Sequence, residues 1–359
     1  MNTNQHPRLN QITADKFKKS LLCTLSLSSK ELFHSNMIGW LLENNLVFAK
    51  NFFGREDLIR VSKVEREKFN FDLLVTADGI NYVIENKVKS LPDRVQIEDY
   101  KEKARRKKLD AHFILLSLVE PTDEFRRDFP DVRVISYEQI HEWIVEVVPR
   151  DGYLESLLTD YAMLLSTLIR IKSLASDFHT EEYFSFNKED AEILRGIRLF
   201  DVAQKIRYSC LAAVCDRCLT DIKLPNLDRL KKPTEVALTR SIGLMSIKIR
   251  FGEILLIGIQ IQGDQYRLSI ESTNKSDVQH LAEKLRNESL WLNPPDAHRK
   301  MILKFGKNFK YVYSSVKGKS GEELVGRVVE DISRLFRDRT KILDCLGINT
   351  DDPKDEIQA

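Results

Sequence analysis

Between Lys30 and Phe48 apolar residues recur at helical spacing, at Leu32, Phe33, Met37, Trp40, Leu41 and Leu42. That period predicts an amphipathic helix. Leu58 to Val64 then reads as a strand, and Phe71 to Lys87 as two more, joined at Asp78-Gly79. An Asp-Gly pair between two apolar runs is a strong signal for a two-residue type I′ hairpin. Ser90-Leu91-Pro92-Asp93 has the form of a helix start, with serine as cap and proline in the first turn. A buried-looking strand follows at His112 to Val119, then a strand at Val132 to Ile135 and a helix from Tyr137 to Val147. A hairpin followed by strands on either side of a crossover helix predicts an α/β fold, with a mixed central sheet flanked by helices.

Pro149-Arg150-Asp151-Gly152 breaks the pattern and places a boundary there, giving domains 1–150 and 151–359. Beyond it two long helical stretches, Tyr153 to Lys172 and about Lys188 to Leu219, precede strands at Gly243 to Arg250, Ile254 to Gln262 and Gln265 to Ser272. Ser276 to Arg286 reads as helix, Phe309 to Ser314 as extended, and Gly321 to Leu346 as a final helical region. This second half is an α+β domain with no motif that names a chemistry. It is assigned to recognition or regulation, and is the place for a homo-oligomer contact or a protein partner.

Composition changes this picture little. The 359 residues are 31% charged and 42% hydrophobic with a formal charge of +2. Any nucleic-acid partner must therefore be held by local basic patches. Five cysteines, odd in number and unevenly placed, do not suit a secreted disulfide framework. No run approaches the roughly 18 apolar residues of a membrane span, and the first 19 residues lack the apolar core of a signal peptide. The expectation is a cytoplasmic protein with no membrane partner.

The hairpin carries the chemistry. If Ala77 pairs with Ile80 across the Asp78-Gly79 turn, Asp72 lies opposite Glu85 on one face, with Lys87 diagonal to it. Opposed side chains on one face have Cβ atoms roughly 4.5–5.5 Å apart. Two bare carboxylates there repel, and a divalent cation would relieve the repulsion. Mg²⁺ takes oxygen ligands, commonly one or two carboxylates, and leaves room for waters and a phosphate. The plain alternative is a solvated hairpin end with a surface ion pair. A three-residue loop would put Asp72 on the other face and remove the site.

Asp72, twelve intervening residues and then Glu85-Asn86-Lys87 resemble the signature of the PD-(D/E)xK nuclease superfamily, with Phe71 where that signature has proline. Gln96 to Tyr100 resembles the Gln-x-x-x-Tyr helix motif of its RecB-like branch. Glu31-Leu32-Phe33-His34-Ser35-Asn36 resembles the first helix of uncharacterised bacterial members. The resemblance covers about residues 28 to 148 and implies a restriction-endonuclease-like fold. It also implies a Mg²⁺-dependent nuclease, with Mn²⁺ as substitute, acting on DNA in bacterial genome defence or repair. Asp72 and Glu85 would hold the metal, Lys87 would position water or neutralise phosphate charge, and Asn86 would be a spectator on the opposite face. Glu31 and His34 share a helix face three residues apart, and related nucleases draw a further metal ligand from this helix. Gln96 would order Lys87 or a phosphate, with Tyr100 beside it, and Lys103 and Lys107 continue the stripe toward a nucleic-acid backbone.

Cys23 with Cys210, Cys215 and Cys218 has the count of the iron–sulfur staple found in some RecB-like nucleases. The late spacings run in reverse order, and Leu211, Val214, Cys215 and Cys218 form one apolar stripe, so these cysteines are read as core and no cluster is predicted. Two other functions remain open. One is a catalytically silent nucleic-acid-binding or assembly module on the same fold, and the other is an RNA-cleaving toxin with the same site.

Overall fold

The structure is a computed structural model and describes residues 11–89, 94–150, 152–178, 183–222, 234–239, 242–252, 254–293, 303–304 and 307–348. In chain order the elements begin with α1 (Gln11–Lys18), α2 (Leu21–Thr24), α3 (Glu31–Asn44), α4 (Leu46–Phe53), β1 (Val61–Arg66), β2 (Leu73–Ala77) and β3 (Ile80–Lys87). They continue with α5 (Arg94–Arg106), β4 (Ala111–Ser117), α6 (Asp123–Asp128), β5 (Val132–Ser136), α7 (Tyr137–Val147), α8 (Gly152–Ser176), α9 (Lys188–Gly196) and α10 (Phe200–Asp221). Then come β6 (Thr234–Thr239), β7 (Ile242–Phe251), β8 (Leu255–Gln262), β9 (Gln265–Ser272), α11 (Gln279–Asn287), β10 (Leu303–Lys304), β11 (Phe309–Ser315), α12 (Gly321–Arg337) and α13 (Arg339–Leu346). The proposed helix start at Ser90-Leu91-Pro92-Asp93 lies outside the described residues.

The first unit is built on a five-stranded sheet in the order β1-β2-β3-β4-β5. β1, β2 and β3 are antiparallel, while β3, β4 and β5 are parallel. This is the expected mixed α/β sheet flanked by helices. One face packs Phe71, Leu74 and Val83 against Tyr100 and Ala104 of α5, and Leu115 against Ile97 of α5 and Phe125 of α6. The other meets α3 and α4, where Phe53 lies against Tyr82 with ring centroids 4.3 Å apart. A full capping box, Ser136 with Gln139, starts α7 directly from the end of β5.

The second unit is a six-stranded antiparallel sheet in the order β10-β11-β9-β8-β7-β6. Its inner face sets Met245, Ile247 and Ile249 beside Ile257, Ile259 and Ile261, and beside Tyr266, Leu268 and Ile270. Leu211 and Cys215 of α10 and Leu324, Val328 and Ile332 of α12 join the same core.

The division differs from the expected boundary at residue 150. The first compact unit comprises 1–176 and 188–206, and the second 177–187 and 207–359. Pro149 to Gly152 is only a short connection, because α8 folds back onto α7 and α2. The long helix expected from Lys188 to Leu219 is two helices. They are separated near Arg198, whose φ of 60° is incompatible with a continuous right-handed helix. No described helix is long and apolar enough to cross a membrane.

Candidate functional site

Asp78 and Gly79 have φ values of 45° and 80°, the pair of positive angles that a type I′ turn demands. The turn pairs Ala77 with Ile80 and carries the register back to Leu73 opposite Ile84. Asp72 is the next residue on its strand and Glu85 the next on the other. Asp72 closes the end of the hairpin with its side chain, Oδ2 accepting from the Asn86 N–H at 2.7 Å.

Glu85 is only 3% exposed. Its Oε1 accepts from Gln96 Nε2 at 2.6 Å and pairs with Lys87 Nζ at 2.7 Å. The same Gln96 nitrogen lies 3.1 Å from the Tyr100 hydroxyl, one turn further along α5. Glu85 Oε2 is buried and, among the described residues, no amide, ammonium or hydroxyl donates to it, while the Asp72 carboxyl lies within hydrogen-bonding reach of the Glu85 carboxylate. A buried acceptor without a donor costs about 1–3 kcal/mol, more for a charged group, so this oxygen invites a cation.

The electrostatics agree. Burial, and then the Glu85 charge, push the Asp72 carboxyl up to about 7, against the opposing pull of the Asn86 N–H and Lys87. The Tyr100 hydroxyl is also raised, first by burial and then by Glu85. One ammonium therefore does not neutralise the acidic pair. A divalent cation fits this donor set, two oxygen ligands of hard character with one lone oxygen to spare.

Among the described residues no group of three or more His, Cys, Asp or Glu side chains is arranged to hold a metal ion. Of the four residues expected as ligands, the structure brings Asp72 and Glu85 together and engages Glu31 and His34 in other hydrogen bonds. Glu31 Oε1 is held by main chain, accepting from the Val88 N–H at 3.0 Å and the Lys89 N–H at 3.3 Å. It fixes the chain leaving β3. His34 is fully buried, with Nε2 at 3.0 Å from the Ser28 carbonyl and Nδ1 at 3.1 Å from the Tyr161 hydroxyl. The carbonyl can only accept, so Nε2 carries the proton and Nδ1 accepts from Tyr161. Neither nitrogen is left for a metal.

Asn86 does point to the opposite face, but it is no spectator. Its Nδ2 donates to the Glu31 carbonyl and Ser35 Oγ, each at 3.1 Å, and its Oδ1 accepts from the Tyr137 hydroxyl at 2.8 Å. It clamps β3 to α3 and α7 and so fixes the strand that carries Glu85 and Lys87. Lys103 Nζ sits 5.5 Å over Phe71 and 5.2 Å over Tyr100, and Lys107 Nζ 5.2 Å over Phe69. Both stand on the Asp72 side of α5, and neither forms an ion pair among the described residues.

Sequence reading missed the basic cluster beyond β3. Lys89 pairs with Asp201 at 3.4 Å, and Lys205 lies one helical turn after Asp201 on the same face of α10. Burial lowers the Lys205 ammonium, Glu31 opposes that, and Lys89 and Lys87 add to it. Lys205 is therefore within electrostatic reach of the site while half-buried and without an ion pair among the described residues. No local signal marks it, because α10 is more than 100 residues from the hairpin.

Residues 21–164 match the family model of the PD-(D/E)XK nuclease superfamily, a span that holds the hairpin, α3, α5 and the start of α8. No curated protein and no solved structure matches the chain.

Proposed function

Because residues 21–164 match the PD-(D/E)XK nuclease superfamily model, we propose that the first unit is a Mg²⁺-dependent nuclease that hydrolyses phosphodiester bonds, with DNA as substrate ahead of RNA. The observation that carries the reading is the buried Asp72–Glu85 pair, with Glu85 Oε2 lacking a donor beside Lys87. The family favours a nucleic-acid substrate, and a setting in bacterial genome defence or repair fits it.

Asp72 and Glu85 would hold the metal, which when bound polarises the phosphate and lowers the pKa of a water. Gln96 fixes the rotamer of Glu85 and the Asn86 N–H fixes that of Asp72. Lys87 stands at the mouth of the pair, where its ammonium neutralises charge growing on the phosphoryl oxygens as the water oxygen bonds to phosphorus and the ester oxygen leaves. Lys103 and Lys107 on one side and Lys89 and Lys205 on the other supply the positive field that a phosphate backbone requires.

The test is incubation of the full chain in Mg²⁺ or Mn²⁺ with plasmid, linear duplex, single-stranded DNA and RNA. Metal-dependent cutting of DNA is expected. Cutting of RNA alone would make the protein a ribonuclease of the same site, and no cutting of any substrate would overturn the reading in favour of a silent binding module.

A further inference from the structure

The sheet of the second unit has a chemically distinct outer face. Along β11, Phe309, Tyr311 and Tyr313 alternate with the buried Lys310, Val312 and Ser314, so all three aromatic rings stand on the outer side and are partly exposed. The register places Glu271, Ser269 and Arg267 of β9 directly beside them. Leu256, Gly258 and Gln260 of β8 come next, followed by Arg250, Lys248 and Ser246 of β7. Arg267 lies 4.5 Å from the Tyr311 ring centroid, and Lys248 lies 5.8 Å from that of Phe309. The Phe309 and Tyr311 rings are 5.7 Å apart. Between Tyr311 and Lys248 the row holds Ser269 and Gly258, and the Lys248 side chain reaches across the sheet toward Glu271 and Phe309, so cations and rings share one surface.

On the outer positions of β7, β8, β9 and β11 there are three cations, Lys248, Arg250 and Arg267, against one carboxylate, Glu271, which pairs with Lys248. A ridge of rings beside excess positive charge suits a ligand with flat apolar faces on an anionic chain. Bases in a duplex are stacked on each other and cannot lie on protein rings, whereas those of a single strand can. An acidic peptide would satisfy the cations but leave the rings unused.

We propose that the outer face formed by β7, β8, β9 and β11 binds single-stranded nucleic acid, with bases stacked on Phe309, Tyr311 and Tyr313 and phosphates held by Lys248, Arg250 and Arg267. This binding is independent of the metal chemistry proposed for the first unit.

The test is fluorescence anisotropy of the full chain in EDTA, where metal-dependent cleavage cannot intervene. The probes are a labelled oligothymidylate of about 16 nucleotides, the matching oligouridylate and a duplex of equal length, with polyglutamate as competitor. The wild type is expected to bind at least one single strand more tightly than the duplex and to resist polyglutamate. The pair Tyr311→Ala and Tyr313→Ala should weaken binding by about tenfold or more, while Tyr311→Phe with Tyr313→Phe, which keeps the rings, should restore it. Arg250→Gln, at an exposed position, should reduce the slope of log affinity against log salt by about 0.7. Equal affinity of the alanine pair and wild type would overturn the assignment, as would a preference for duplex or full displacement by polyglutamate. A lack of wild-type binding to every strand would also overturn it, whether or not the first unit cuts DNA.

Discussion

Gln96 donates to the one oxygen of Glu85 that Lys87 also reaches, and among the described residues no amide, ammonium or hydroxyl donates to the other oxygen of that carboxylate. α5 thereby fixes how a strand residue presents itself. Groups that orient a ligand in this way typically account for about 10–100-fold in metal affinity. Gln96→Ala should lower Mn²⁺ affinity by about that factor with the far-ultraviolet dichroism unchanged, and titration calorimetry reads it directly. Equal affinity would mean that Glu85 is held without α5.

Metal binding should be coupled to a proton. Asp72 is pushed up to about 7 by burial and by Glu85, and a carboxyl must lose its proton to act as a ligand. Below pH 7 the proton competes, so affinity should fall by up to about tenfold per pH unit and level off above pH 8. Calorimetry in two buffers of different ionisation heat should show proton release near neutrality, which Asp72→Asn should remove.

The hairpin was the most legible part of the chain, because its register depends on two adjacent residues. Asp78-Gly79 specifies the turn, the turn pairs Ala77 with Ile80, and alternation does the rest. The alternating strands of the second unit were readable for the same local reason. What could not be read was which acceptors the main chain would claim. Glu31 has the right chemistry for a ligand, yet two peptide N–H groups just past β3 occupy it. His34 is committed to Tyr161, 127 residues away, and the spectator role expected of Asn86 gave way to a clamp made by residues from three separate segments. The boundary at Gly152 looked like a linker because proline and glycine mark turns. The packing of α8 on α7 is a tertiary fact that no local pattern contains.

His34 makes the first unit sensitive to mild acid. Burial lowers its pKa to about 4, with the Ser28 carbonyl and Glu31 opposing, against about 6.5 when unfolded. The unfolded chain therefore takes up a proton that the native state refuses. This contribution to stability is full above pH 6.5, declines as pH falls toward 4 and is gone below it, a loss on the order of 3 kcal/mol. Urea midpoints measured between pH 7.5 and 4.5 should fall more steeply for wild type than for His34→Gln. Parallel curves would remove His34 as the cause.

Lys205 should act on substrate capture. Its charge sits near Lys87 and Lys89, with no ion pair among the described residues. Lys205→Met should raise KM by about tenfold at low salt while changing kcat less, the difference should shrink as salt screens it, and Lys205→Arg should recover most of the loss. A change confined to kcat would place Lys205 elsewhere in the reaction.

A hydrolytic metal site built on the buried Asp72–Glu85 pair needs the charges of Glu85 and Lys87. Its most direct test is the rate of Mg²⁺-dependent DNA cleavage by wild type, Glu85→Gln and Lys87→Met, each shown to be folded by thermal denaturation. Both substitutions keep side-chain size and remove one charge. Wild type should cleave, and each variant should lose at least about 100-fold. Cleavage by Glu85→Gln at the wild-type rate would contradict that requirement.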